Sequence, residues 1–204
     1  SILDVTSPID RLKIIFLIII LMYIGNFLLK QINFENYYKL SKINMWIWFT
    51  LYIIMLLNLT LFDKYFGRGI TLNVMDPRLL KNYLEYNFNI IPFATINNYF
   101  LAFKNNNLTN MNFIYNIFGN ILAFAPLGLF LPRQFPKINK WYKFFIITSI
   151  TILLIESLQM ITMSGSFDID DYILNSIGAM VMYFILNNKW ISPKINKFLY
   201  FKSK

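Results

Sequence analysis

The sequence predicts an all-α, polytopic integral membrane protein, and composition, apolar run length and the placement of basic residues predict it together. Of 204 residues, 57% are hydrophobic and 14% charged, against roughly 25% charged in a soluble domain. Mean hydropathy is +0.50. One water-soluble core cannot hide that much apolar surface, whereas lipid accepts it. The 19% aromatic content and 4 Trp suit side chains at headgroup level.

Five apolar runs are long enough to cross a hydrocarbon core of ~30 Å at ~1.5 Å rise per helical residue. They are Leu12 to Leu29, Met45 to Phe62 (opened by Trp46 and Trp48), Phe113 to Leu131, Tyr142 to Met163, and Tyr172 to Leu186. The stretch Phe88 to Phe103 is apolar but short, and it holds Pro92, Asn97 and Asn98. It reads as an interfacial or re-entrant element shielded by protein. The expected bundle therefore has five spans, with a sixth left open there. No small-residue cleavage pattern follows the first run, so it reads as a retained helix. The expected organisation is an extra N-terminal helix and loop over 1–44, the main membrane domain over 45–187, and a basic tail over 188–204.

Basic residues set the orientation. Arg133, Lys137, Lys140 and Lys143 crowd one short loop, and Lys189, Lys194, Lys197, Lys202 and Lys204 crowd the tail. The turn Ser164 to Asp171 carries three aspartates and no Lys or Arg. The rule that cytoplasmic loops are basic puts loop and tail inside and the aspartate turn outside. The positive-inside count favours six spans, whereas segment length and polarity favour five.

There is no histidine and no cysteine. Ser-His and Cys-His nucleophilic pairs and His- or Cys-ligated zinc are therefore excluded. Carboxylate, amide, hydroxyl and Lys/Arg chemistry remain. The net charge of +9 lies in the connecting segments rather than on a soluble nucleic-acid fold, so nucleic acid is not an expected partner. Membrane lipids are.

The informative feature is a polar cluster inside the apolar runs. Glu156 and Gln159 are three apart and share one helix face, as do Asp171 and Asn175, four apart and continued by Gly178. Asn116, Gly119, Asn120 and Ala123 form a small and polar stripe on a third helix. Facing one another, these stripes would gather Asn120, Glu156, Gln159, Asp171 and Asn175 at one level, with Asp168 and Asp170 above. Gly119, Ala123, Gly178 and Ala179 would permit close helix approach.

A structural reading stands beside the functional one. Asp168 is placed to cap the last helix, Asp170 and Asp171 suit its positive N-terminus, and buried amides serve as interhelical glue. That explains the aspartates better than it explains Glu156, a carboxylate within the membrane and so a functional candidate. If functional, Glu156, Asp168 and Asp171 are the expected catalytic carboxylates, and Asn120, Gln159, Asn175 and Asp170 the expected substrate-binding groups. Such oxygens suit Mg2+ or Ca2+, although Asp-Ile-Asp-Asp is not a complete calcium loop. Alternatively Glu156 works as acid or base beside an ionised Asp171.

Six segments in order carry a family likeness: Leu59-Thr-Leu-Phe-Asp63, Asn89-Ile-Ile-Pro-Phe93, Gly119-Asn-Ile-Leu-Ala-Phe-Ala-Pro-Leu-Gly128, Glu156-Ser-Leu-Gln159, Phe167-Asp-Ile-Asp-Asp171 and Leu174-Asn-Ser-Ile-Gly178. The chain resembles the VanZ-like membrane proteins over Leu59 to Tyr183. The resemblance implies a polytopic bacterial envelope protein that lowers susceptibility to glycopeptide antibiotics, teicoplanin in particular. It carries the family's recurrent polar positions onto Asn120, Glu156, Gln159, Asp168, Asp171 and Asn175. Many members have Arg shortly before the Phe-Asp turn, where this chain has Gly165 and Ser166. That departure weakens a phosphate-binding role for the turn. The run Leu12 to Leu29 is additional to the matching region.

The expected function is thus a VanZ-like protein of the bacterial cytoplasmic membrane, acting at the outer leaflet on a lipid-linked wall precursor or a lipoglycopeptide. The rivals are a membrane-embedded hydrolase or transferase acting on a lipid headgroup, and a non-catalytic scaffold. A transporter-like helper is disfavoured by the lack of paired repeats.

Overall fold

A computed structural model of the chain describes residues 24–25, 27–28, 34–62, 77–105 and 110–200. Apart from one pair of two-residue strands, its regular structure is helical. Helix α1 (Phe34–Leu57) continues into a wider turn over Asn58–Phe62. Next come α2 (Pro77–Asn87), β1 (Phe88–Asn89), α3 (Ala94–Lys104), α4 (Asn110–Phe124) and α5 (Leu127–Gln134). A short 3-10 turn, Pro136–Ile138, leads into α6 (Trp141–Ile161), β2 (Phe167–Asp168), α7 (Ile169–Asn187) and α8 (Ser192–Tyr200).

Among the described residues three helices are long and apolar enough to cross a membrane: Lys39–Phe62, Trp141–Ile161 and Ile169–Asn187. They match three of the five expected runs. Most of the first run, Leu12 to Leu29, lies outside the described residues.

The third run departs from expectation, because it is broken rather than continuous. Pro126 has no N–H to give to the preceding turn, and its ring crowds the carbonyl four residues back. The chain turns at Ala125-Pro126 and restarts as α5, with Leu129 and Phe130 N–H both directed to the Pro126 carbonyl at 3.0 and 3.1 Å. The Tyr52 hydroxyl of α1 donates to the Ala123 carbonyl at the break, at 2.8 Å. That phenol also stacks on Phe130, with ring centroids 5.7 Å apart.

The Phe88–Phe103 stretch, expected as an interfacial or re-entrant element, forms β1, a turn and α3. One side of α3 is half-buried and packs on α4 while the other is exposed. A helix satisfies its own backbone, so its open side needs no cover even beside lipid.

Helix α7 is the centre of the bundle, packed against α4, α5 and α6. It runs parallel to α4 and α5, as the pairs Ile121–Gly178 and Gly128–Tyr183 show. It runs antiparallel to α6, through the Phe144–Tyr183 stack at 4.6 Å and the Ser149–Tyr172 hydroxyl contact at 3.0 Å. Met45, Tyr52, Leu56, Phe124, Leu127, Phe144, Ile152 and Ala179 form the apolar core. Outward-facing Ile54, Leu122, Ile150, Leu154, Val181 and Phe184 make an apolar girdle, the surface a bilayer accepts.

At the end opposite the aspartates, Arg133 fixes the close of α7. Its guanidinium donates to the Leu186 carbonyl (3.0 Å), Asn187 Oδ1 (3.3 Å) and Asn196 Oδ1 (3.1 Å). A cation meeting the negative end of a helix is favourable, and this one also fastens α8. Burial pulls the Arg133 pKa below its usual value.

Close helix approach rests on glycine. A Cβ on Gly178 would lie 1.8 Å from the Ile121 carbonyl oxygen, whereas one on Gly119 would meet nothing within 4 Å. Gly178→Ala should therefore cost about 3 kcal/mol, the upper end of overpacking penalties. Gly119→Ala should gain ~0.5–1 kcal/mol from helix propensity. Thermal unfolding midpoints of the two purified variants check the contrast.

Candidate functional site

The aspartate end of the bundle is built in two tiers. Helix α6 stops where Met163 takes a left-handed conformation (φ 51°), the position glycine usually fills after a helix. There the Ser164 N–H closes on the Gln159 carbonyl at 2.9 Å. The chain then extends through β2, which pairs in parallel with β1: Phe88 opposite Phe167, Asn89 opposite Asp168. The two phenyl rings stack at 5.2 Å. The Tyr83 hydroxyl of α2 donates to the Gly165 carbonyl at 2.6 Å, tying α2 to this turn.

In the outer tier, Asp168 caps α7, accepting the Asp170 N–H at 2.9 Å. The same carboxylate accepts from Asn89 Nδ2 at 3.1 Å and from the Thr95 hydroxyl at 2.6 Å. Asp170 is fully buried (0% exposed). Its carboxylate takes the N–H groups of Phe93 (2.5 Å), Thr95 (2.8 Å) and Ile96 (3.0 Å). These donors open α3, whose preceding residue Phe93 sits at φ 66° and makes no side-chain cap of its own. Asp170 is thus an N-cap supplied from another helix, a negative charge set on a positive helix end.

In the inner tier, Asn120 of α4 donates through Nδ2 to Asp171 Oδ1 of α7. One turn further along α7, Asn175 is buried at 3% exposure. Glu156 and Gln159 lie on the buried face of α6, at 3% and 1% exposure. The antiparallel register fixed by Phe144–Tyr183 and Ser149–Tyr172 carries them opposite the Ser164–Asp171 segment. Gln159 Nε2 donates to the Thr60 carbonyl, in the wide turn ending α1, at 2.7 Å. Only the amide nitrogen can donate there, so the Gln159 carbonyl oxygen is the free end. Neither that oxygen nor Asn175 Oδ1 has a hydrogen-bond donor.

The candidate residues therefore gather at one end, divided by what they hold. Asp168 and Asp170 bind the Asn89–Ile96 segment of the chain itself. Asn120 and Asp171 bind each other, Glu156 and Gln159 lie on the buried face of α6 near its close, and Asn175 is buried one turn along α7 from Asp171. Asn89, Thr95 and Tyr83 belong to the arrangement and were not singled out from the sequence. The signal for Asn89 was present, since it opens one of the six family-like segments. Groups of three or more acidic side chains placed to hold a metal ion are absent among the described residues.

A family model, VanZ/LLP1, matches residues 49–191. The chain belongs to the VanZ/LLP1 family. Comparison with curated proteins and with solved structures gave no match. The match covers α1 from Phe49 through the end of α7, the elements that build both tiers, and leaves α8 outside.

Removing the Asp170 carboxylate strands three backbone donors in a buried setting. Asp170→Ala should lower stability by about 3 kcal/mol, and Asp170→Asn, which keeps one acceptor oxygen, by less. Thermal midpoints should drop in that order, with amide exchange rising at Phe93, Thr95 and Ile96.

Proposed function

We propose that this VanZ-family protein works at the outer leaflet of a bacterial cytoplasmic membrane and lowers susceptibility to glycopeptides of the teicoplanin type. In this reading it recognises a lipid-linked wall precursor or the lipoglycopeptide through the inner tier: Glu156 and Asp171 with Asn120, Gln159 and Asn175. The reading keeps five spans, with Leu12–Leu29 as the first, the aspartate turn extracytoplasmic and the C-terminal tail cytoplasmic. The excess of basic residues supports that polarity: Arg133, Lys137, Lys140, Lys189, Lys194 and Lys197 lie on elements at the end opposite the aspartates, against Arg78, Lys81 and Lys104 on α2 and α3 at the aspartate end.

The observation that carries the reading is that Gln159 Oε1 and Asn175 Oδ1 are buried acceptors without a protein donor, on the two helices that also carry Glu156 and Asp171. An unpartnered buried acceptor costs ~1–3 kcal/mol, so a cluster kept for stability alone would be better filled with apolar side chains. Acceptors held in that state suit a ligand rich in N–H and O–H donors, a property of amide- and sugar-bearing wall precursors and of glycopeptides. The outer-tier carboxylates are committed to donors of the chain itself, Asp170 to three backbone N–H groups and Asp168 to one backbone N–H, the Asn89 amide and the Thr95 hydroxyl, which favours recognition over acid-base turnover by Asp168 or Asp170. An enzymatic reading, hydrolysis or transfer at a lipid headgroup, would rest on Glu156 and Asp171 alone.

Glycopeptide susceptibility of cells expressing the wild type, Glu156→Gln, Asp171→Asn and Asn175→Leu at matched membrane levels tests the proposal. Wild type should raise the inhibitory concentration of teicoplanin, and the three variants should return it toward that of cells lacking the protein. Equal susceptibility with and without the wild-type protein would end it.

Because the chain has no cysteine, single-cysteine labelling tests the orientation. Ser166→Cys should react with a membrane-impermeant thiol reagent on intact cells, and Asn196→Cys only after permeabilisation. The reverse pattern overturns the outer-leaflet assignment.

A further inference from the structure

We infer that the turn Ile90–Phe93 is a lipid-inserted wedge, seated among the acyl chains of the leaflet at the aspartate end of the bundle. Its side chains are apolar and turned outward: Ile90 is 60% exposed, Ile91 67% and Phe93 62%. Phe88 is exposed as well. A cluster of this kind at a solvent surface would be an aggregation liability.

Irregular backbone normally avoids lipid, because an unsatisfied N–H or C=O there costs several kcal/mol. From Ile91 onward the donors are accounted for one by one. Ile91 N–H goes to Asn89 Oδ1 at 3.0 Å, and Pro92 has no N–H. Phe93, Thr95 and Ile96 N–H go to Asp170. Ala94 N–H goes to the Ile91 carbonyl at 3.3 Å, and Asn97 N–H to the Phe93 carbonyl at 3.0 Å. From Ile91 to Asn97 every backbone N–H is taken, and each acceptor belongs to the protein. The donor demand of this segment faces inward and the apolar surface outward, which suits lipid contact.

Position agrees with chemistry. Asp170 belongs to the first turn of the span α7, so the turn it anchors lies at the boundary of that span. Helix α3, which follows, packs on α4 and exposes Phe100 and Leu101, as α4 exposes Phe118 and Leu122. The exposed Asn97, Asn98 and Lys104 hold α3 at headgroup level, leaving the Ile90–Phe93 tip as the part that dips. A second copy of the chain is the competing occupant.

The test uses the full chain carrying one introduced cysteine, Ile91→Cys or Ile90→Cys, and Tyr86→Cys on the polar helix α2 as the exposed reference. Each is labelled with an environment-sensitive fluorophore and reconstituted in phosphatidylethanolamine–phosphatidylglycerol vesicles. The labels at 90 and 91 should emit to the blue of the label at 86. Lipid carrying an acyl-chain nitroxide should quench them more strongly, and aqueous iodide less. Iodide quenching as strong at 90 and 91 as at 86 overturns the inference. Protection from both quenchers that fades as protein is diluted into excess lipid also overturns it, in favour of the second copy. The readout is independent of any glycopeptide, so it stands or falls apart from the proposed function.

Discussion

The carboxylate of Asp170, holding three backbone N–H groups from a distant part of the chain, is the contact on which the aspartate end of the protein depends. In a bilayer no water stands ready to replace a lost backbone partner, so each departure from regular helix must bring its own. Where α4 breaks at Pro126, the Tyr52 hydroxyl meets the Ala123 carbonyl. Where α7 ends, Arg133 meets the Leu186 carbonyl. Where the chain turns into α3, Asp170 and Asn89 take the donors. Anion on a helix start and cation on a helix end follow the sign of the helix dipole.

The six family-like segments gain a physical meaning from this geometry, because they meet in pairs. Asn89–Phe93 is the partner of Phe167–Asp171, through the strand pair and both carboxylates. Leu59–Asp63 meets Glu156–Gln159 through the Thr60 carbonyl. Gly119–Gly128 meets Leu174–Gly178, where Ile121 lies against a glycine that admits no side chain. Each motif is short because each is half of a contact. The pairs bring α1, α4, α6 and α7 to one end of the molecule.

Much of this was legible in the chain. Polar residues inside apolar runs are expensive, so Asn120, Glu156, Gln159, Asp171 and Asn175 announced buried faces, and helical spacing sorted them onto shared sides. Asp168 as a cap followed from its place before an apolar run. Less legible was whatever depended on non-helical backbone. Asn89 and Thr95 lie in a segment without helical period, so no spacing rule connects them to residues far along the chain. The role of Asp170 required knowing that Phe93 adopts a left-handed conformation and leaves the start of α3 without a local cap. Pro126 was visible, yet a proline in a membrane helix kinks some and breaks others. Which occurs depends on whether a partner such as Tyr52 is at hand for the freed carbonyl.

The two tiers satisfy their buried polar groups differently. Burying a carboxylate costs several kcal/mol, and charge-assisted hydrogen bonds return ~1.5–3 kcal/mol each. Three of them bring Asp170 near balance, so it specifies geometry more than it adds stability. Asp168, with its own three donors, stands in the same position. Gln159 and Asn175 do not balance in this way. Gln159 is held by its Nε2 bond to the Thr60 carbonyl, and its Oε1 has no protein donor. A leucine or methionine at either position would pack without that penalty. The folded chain thus leaves the buried acceptors Gln159 Oε1 and Asn175 Oδ1 without a protein donor, whereas the carboxylates of Asp168 and Asp170 each hold three.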